Sequence, residues 1–347
     1  MANSDSKQDQ IEHGPMDQFS AHLDRGWDLL HQGDLAGALL SAEKSLELDA
    51  QSPEAYNLLG FVRAAQGEAA EALEHYRHAL ALDDSFVEAM LNAAEVLIHP
   101  MHDFDAAQGL VRDALDLAED DDEVADALLI SFDAHMHQGD RQAAAVVAGK
   151  LPGGPFSNPK LDFLVGRAYF EVERLDQAQQ LFERALKRDH DNPDLHYYLG
   201  LLWEAREKPE RAVLAFVQAR KLDALEPDPP WTVTDELFDK QVRKALSSLP
   251  DSFAAAVDGA MVITSDLPGV ELVADGVDPR AALVLDAIDQ RATEPKVGRV
   301  FVYKRNIQRA VEDALELPEQ LGELLQQELA AAFPVLGGDV PPPLAHA

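Results

Sequence analysis

The sequence predicts a mainly α protein: a solenoid of short paired helices followed by a small α+β domain. Three observations predict it. Small and aromatic residues recur at an interval of 34: Gly26 and Gly60, Gly33 and Gly67, Ala38 and Ala72, then Gly166 and Gly200, Ala178 and Ala212, Phe182 and Phe216. The recurrence stops at a proline cluster, 226–230. Beyond it, short β-branched and aromatic runs at 261–264 and 300–303 replace the helical pattern. A fixed period of this length marks a repeat array, in which each unit buries its apolar face against its neighbours.

Residues 1–18 are polar and read as a disordered N-terminus. The repeats fill 19–226. In the first, helices at 19–31 and 35–48 flank the breaker Gly33-Asp34, and Gly26, Ala38 and Ala42 let them approach closely. The second, 53–86, repeats this with Gly60, Gly67, Ala72, Tyr76 and Ala79, and Pro53 sits at a first helical turn, where its missing N–H costs little. The third keeps Ala93, Ala94 and Ala114 around an insertion at 99–102. The fourth, 124–151, keeps Gly139-Asp140 and Ala144 and ends in the breaker 151–155. That break, near 151–158, reads as a seam between two blocks. Two further units bring the expected number to six.

Gly60, Gly67, Ala72, Tyr76, Ala79 and Leu82-Asp83, with Gly166, Ala178, Phe182, Ala185 and Leu199-Gly200, Ala212, Phe216, Ala219, stand at the signature positions of the tetratricopeptide repeat, and the solenoid resembles that family. The resemblance implies a concave groove lined by the first helix of each unit. The groove residues it implies are Leu23 and Trp27, Asn57 and Phe61, Leu91 and Glu95, Phe163 and Arg167, Tyr197 and Leu201. They describe an aromatic and aliphatic trough with few charges, although any one of these side chains can equally pack between helices. Phe61, Phe163 and Tyr197 are the expected anchors for a protein partner, one that is basic or presents an amphipathic helix or an extended peptide. The family's clamp for terminal carboxylates is not implied, since Arg63 and Arg167 fall in separate blocks.

After a linker at 227–233, residues 234–335 change character. Thr234 can cap a helix running to Ser248; 261–264 and 300–303 read as strands, 283–288 as an ambiguous one, and 318–333 as a helix. A flexible tail, 336–347, is expected to come last. Phe238, Val242 and Ala245 before Leu249-Pro250 and Phe253, then Val262-Ile263, Asp266-Leu267-Pro268, the strand 300–303 and Arg305 resemble, in order and spacing, a bacterial family of minimal zincin, or matrix-metalloprotease-like, metallopeptidases. That family carries His-Glu-x-x-His on its last helix, where two His one turn apart hold zinc and the Glu acts as general base. The aligned residues here are Gln327, Glu328 and Ala331. An amide and a methyl group replace both ligands, and 231–345 contains no His or Cys, leaving only His346. The resemblance therefore implies a pseudoenzyme without metal or cofactor, serving as a second docking module. The competing readings are an active metallopeptidase with substrate presented by the solenoid, and a dedicated chaperone or inhibitor of a partner.

Composition sets the outer limits. The absence of cysteine excludes disulfide and thiolate chemistry and favours the cytoplasm. No secretory signal or bilayer-spanning run is evident in the sequence. The formal charge is −34, with −10 in 227–347 and −24 before it. Such a field repels nucleic acid and anionic lipid and speeds encounter with a basic partner. The pairs His75/His78, His99/His102 and His135/His137 fit weak metal binding, but solvated surface histidines are the simpler reading. The acidic run 119–123 lacks the pattern of a calcium loop and fits the positive end of a helix.

Overall fold

The computed structural model describes residues 15–289, 296–311 and 313–334. It consists of two compact units, 1–188 and 189–347. The disorder expected of 1–14, and the expected tail 336–347 with His346, lie outside the described residues.

The first unit is built of helix pairs: α1 (Pro15–His31) and α2 (Leu35–Leu48), α3 (Pro53–Ala65) and α4 (Ala69–Leu82), α5 (Val87–Ile98) and α6 (Phe104–Leu117), α7 (Asp121–His137) and α8 (Arg141–Ala148), α9 (Pro159–Glu171) and α10 (Leu175–Arg188). Helix α1 starts at Pro15, four residues ahead of the expected start at Phe19. The 34-residue period has a steric cause. A Cβ on Gly60 would sit 2.5 Å from Tyr76 Cε1, and one on Gly166 would sit 2.7 Å from Phe182 Cδ1. The glycine on the first helix of a pair thus admits the aromatic ring of the second. Gly33 and Gly67 close the intervening turns at φ +78°, a conformation that costs other residues energy. Side-chain caps start the helices. Asp34 accepts from Gly37 N–H at 2.9 Å, Ser52 from Ala55 N–H at 3.0 Å, and Asp140 from Ala143 N–H at 2.9 Å.

The sequence reads the proline- and glycine-rich stretch at 151–158 as a seam between blocks. It lies inside the first unit and is held at several points. Phe156 is buried. Arg184 donates to Gly153 O at 2.9 Å, and Arg188 to Phe156 O at 2.7 Å and Ser157 O at 2.9 Å. Both arginines also hold the fully buried carboxylate of Asp162, at 2.7 and 3.3 Å. The breaker residues end a helix locally, but arginines one helix later tie the resulting loop down.

The second unit opens with one more pair, α11 (Pro193–Ala205) and α12 (Pro209–Asp223). Then come α13 (Asp235–Ser247), α14 (Asp251–Val257), β1 (Met261–Ser265), α15 (Val270–Ala274), β2 (Leu283–Asp286), β3 (Arg299–Tyr303), α16 (Lys304–Gln308) and α17 (Leu317–Ala332). The three strands form one sheet in the order β1-β3-β2. β1 runs parallel to β3, with Ile263 opposite Phe301, and β2 runs antiparallel, with Val284 opposite Phe301. Phe238 and Val242 of α13, Phe253 of α14, Val300 and Val302 of β3, and Leu321, Leu325 and Leu329 of α17 form the core. The 3.6-residue spacing of those leucines makes one face of α17 apolar, and that face covers the sheet side of the core.

Candidate protein-binding groove

In the first unit a cavity of 420 Å³ opens between α5, α7 and α9. These are first helices of successive pairs. α5 contributes Glu88, Leu91, Asn92 and Glu95; α7 contributes Glu123, Asp126, Leu129, Ile130 and Asp133; α9 contributes Leu164 and Arg167. The floor is aliphatic and the polar lining is acidic. Five carboxylates face one guanidinium, which lies 3.5 Å from Asp133. The trough is therefore more charged than the sequence predicts. The added carboxylates come from α7, whose phase the repeat pattern does not set, and from Glu88.

The electrostatics follow from this crowding. Burial, then Asp133 and Asp126, raise the carboxyl of Glu95 above its ordinary range. Burial, then Asp122, Asp120 and Glu123, push Asp126 up to about 6. Asp133 is also raised by burial, against the opposing pull of Arg167, His137 and His99. The side-chain carboxylates of Glu95 and Asp126 make no hydrogen bond or ion pair with any described residue.

The residues singled out from the sequence are distributed unevenly. Leu91, Glu95 and Arg167 line the cavity. Asn57 is buried instead: it donates to Glu88 at 3.1 Å and accepts from Asn92 at 3.0 Å, so it orders the α5 wall from below. Trp27 and Phe61 pack edge to face at 5.4 Å between centroids, and Phe61 stays 36% exposed. Phe163 is half-buried, 6.1 Å from Phe182. Tyr197 and Leu201 belong to the second unit. Tyr197 is buried there, with its hydroxyl on Asp278 and Arg280 over its ring, so it is not an open anchor. Leu201 packs partly buried against the same cluster. Arg63 is taken by Glu68 and Glu71.

The acidic residues of α7 are missing from the sequence-predicted groove, yet a signal for them exists. Asp126 and Asp133 stand seven apart, as do Glu88 and Glu95 on α5. The run 119–123 caps α7 as expected, with Asp120 accepting from the N–H groups of Asp122 and Glu123 at 3.0 Å. His99 meets His137 at 4.2 Å between ring centroids, not His102. His75 and His78 flank the ring of Tyr56. Among the described residues no three His, Asp or Glu side chains converge as a metal site. On α17, Gln327 is half-buried, while Glu328 and Ala331 face outward.

Models of the tetratricopeptide repeat match residues 53–86 and 164–227. The chain contains tetratricopeptide repeats. The first match is the α3–α4 pair, and the second runs from α9 through α12. Superkiller complex protein 3 of Homo sapiens is 28% identical over 135 residues, which is 38% of this chain and 8% of that protein. This chain therefore corresponds to a small fraction of that relative's length. Among solved structures, pilF of Pseudomonas aeruginosa aligns at 18% identity and a TM-score of 0.49, over 60% of this chain and 94% of that one. TTC0263 of Thermus thermophilus aligns at 19% identity and a TM-score of 0.44, over 56% of this chain and 99% of that one. Tetratricopeptide repeats in general mediate contacts between proteins. No helix among the described residues is long and apolar enough to cross a membrane.

Proposed function

We propose that this protein is a non-enzymatic interaction scaffold that holds a segment of a partner protein in the α5–α7–α9 trough. The observation that carries this reading is the cavity itself: a concave, aliphatic floor whose lining includes the unpaired carboxylates of Glu95 and Asp126. Trp27 and Phe61 would extend the apolar contact, since Phe61 keeps enough exposure to meet a ligand. The experiment is affinity capture from native lysate by the wild-type chain and by L91R, whose guanidinium would fill the trough. Helicity and melting of L91R would be measured alongside. Loss of a specific partner with an intact fold supports the groove; undiminished capture overturns it.

The C-terminal α+β segment is read as a second docking module. What supports this reading is the sequence resemblance to minimal zincins, in which Gln327 and Ala331 align with the zinc ligands. Glu328 would then be an ordinary outward-facing helix residue rather than a general base. Elemental analysis of purified protein should find no stoichiometric zinc; one zinc per chain would restore the peptidase reading. With a charge of −34 and no cysteine, the proposed setting is the cytoplasm, with protein and not nucleic acid as partner.

A further inference from the structure

Resting on the groove reading above, the geometry points to the occupant's chemistry. We infer that the trough takes a partner segment bearing two cationic side chains, arginine or lysine, on either side of an apolar residue. Glu88 and Glu95 form one rail and Asp126 and Asp133 the other, each pair seven positions apart on its helix. Seven helical residues rise about 10.5 Å, so the segment's two charges would stand about 10 Å apart. Between the rails, Leu91 on α5 and Leu129 and Ile130 on α7 offer the apolar seat. One end already shows the pairing: Arg167 from α9 reaches Asp133 at 3.5 Å.

Glu88 accepts a hydrogen bond from Asn57, and no cation reaches Glu88, Glu95 or Asp126 among the described residues. Glu95 and Asp126 both line the trough with no side-chain ion pair, and neighbouring carboxylates disfavour the charge on each: Asp133 and then Asp126 at Glu95, and Asp122, Asp120 and Glu123 at Asp126. Like charges held close on a rigid wall cost the free chain stability, and an incoming cation removes that cost as it binds. A carboxylate-bearing segment would meet the opposite balance. The acidic field of the whole chain adds to the encounter rate of a basic segment and not to its register.

The test is selection of a displayed random peptide library on the full-length chain. The leading peptide is then measured by fluorescence anisotropy on wild type, E95Q/D126N and L91R. The inference expects leads with paired arginine or lysine flanking an apolar residue. Replacing those cations by glutamine, or using E95Q/D126N, should weaken binding about tenfold, with little further loss when both changes are combined. Leads without cations that L91R no longer binds would overturn the inference and leave the groove reading standing. Leads that bind L91R as well as wild type, or a library from which nothing is enriched, would overturn both. E95Q/D126N removes repulsion and is expected to melt no lower than wild type, so a misfolded variant is recognised separately.

Discussion

The hydroxyl of Tyr197 donates a 3.0 Å hydrogen bond to Oδ2 of Asp278. The two residues are 81 positions apart, and Arg280 completes the contact with its guanidinium 4.5 Å from the Tyr197 ring centroid. Burial first, then Asp278, hold the phenol above its ordinary range. The first helix of the last repeat pair is thus covered by a segment of the same unit.

Tyr197 and Phe61 should therefore separate cleanly on mutation. Tyr197→Ala removes a buried ring together with its hydrogen bond to Asp278 and its contact with Arg280, and should cost about 3–5 kcal/mol in urea unfolding. Phe61→Ala removes a ring that is 36% exposed and should cost about 1–2 kcal/mol while weakening partner capture. Equal stability losses would mean that both rings play the same structural part.

Asp223 ends α12 as a fully buried carboxylate. Arg280 reaches it at 3.1 Å and Arg309 at 2.7 Å. Burial opposes ionisation here, but hydrogen bonds from Arg309 and Arg280 outweigh it and lower the pKa. Asp223→Ala should cost about 3 kcal/mol, reduced from the full value for a buried pair because both arginines keep some solvent access. A carboxyl with a depressed folded pKa stabilises above its unfolded pKa of about 3.9 and loses that contribution as pH falls through the folded value. Melting curves between pH 6 and pH 2 should therefore converge for wild type and Asp223→Asn at the acid end.

Asp126 has the opposite sign. Its folded pKa, about 6, lies above the unfolded value, because burial and the carboxylates of Asp122, Asp120 and Glu123 disfavour its charge. Its charge in turn adds, after burial and Asp133, to the upward shift of Glu95 on α5. The charged form therefore destabilises the fold above pH 6, and the penalty shrinks as pH falls toward about 4. At pH 7, Asp126→Asn should raise stability by about 1–2 kcal/mol, discounted for partial exposure. The gain should disappear near pH 4. A gain independent of pH would mean that the charge is not its cause.

A chain ended at Glu226 should behave worse than one ended at Arg188. The cut at 226 passes through the second unit, stripping Arg280 and Arg309 from Asp223 and Val273 from the cluster of Trp203 and Phe216. The longer fragment should bind a hydrophobic dye and show a broad, non-cooperative loss of part of its helix signal on heating. The shorter one should melt in a single transition. Identical melting of the two would show that α11–α12 folds independently of the α+β segment.

Much of this architecture is local and legible in the sequence. The 34-residue period follows from glycine meeting an aromatic ring across each pair, as Gly60 meets Tyr76 and Gly166 meets Phe182. The strands at 261–265 and 299–303 carry β-branched and aromatic residues that suit a pleated, half-buried surface. The trough is only half legible. Leu91, Glu95 and Arg167 follow from the repeat's phase, whereas α7 sits in a unit whose signature residues are worn down, so its Asp126 and Asp133 have no phase to follow.

The helix pairs, their caps and the acidic charge are all set by the order of residues along the chain. They depend on residues within about one helical turn or one repeat of each other. Long-range packing was needed to bury Asn57 and Tyr197, to tie 151–158 into one unit, and to set the compact boundary after Arg188. The physical reason is that a groove position and a core position on these helices take the same kinds of side chain. What separates them is a partner many residues away: Asn92 for Asn57, Arg184 for Gly153, and Asp278 for Tyr197.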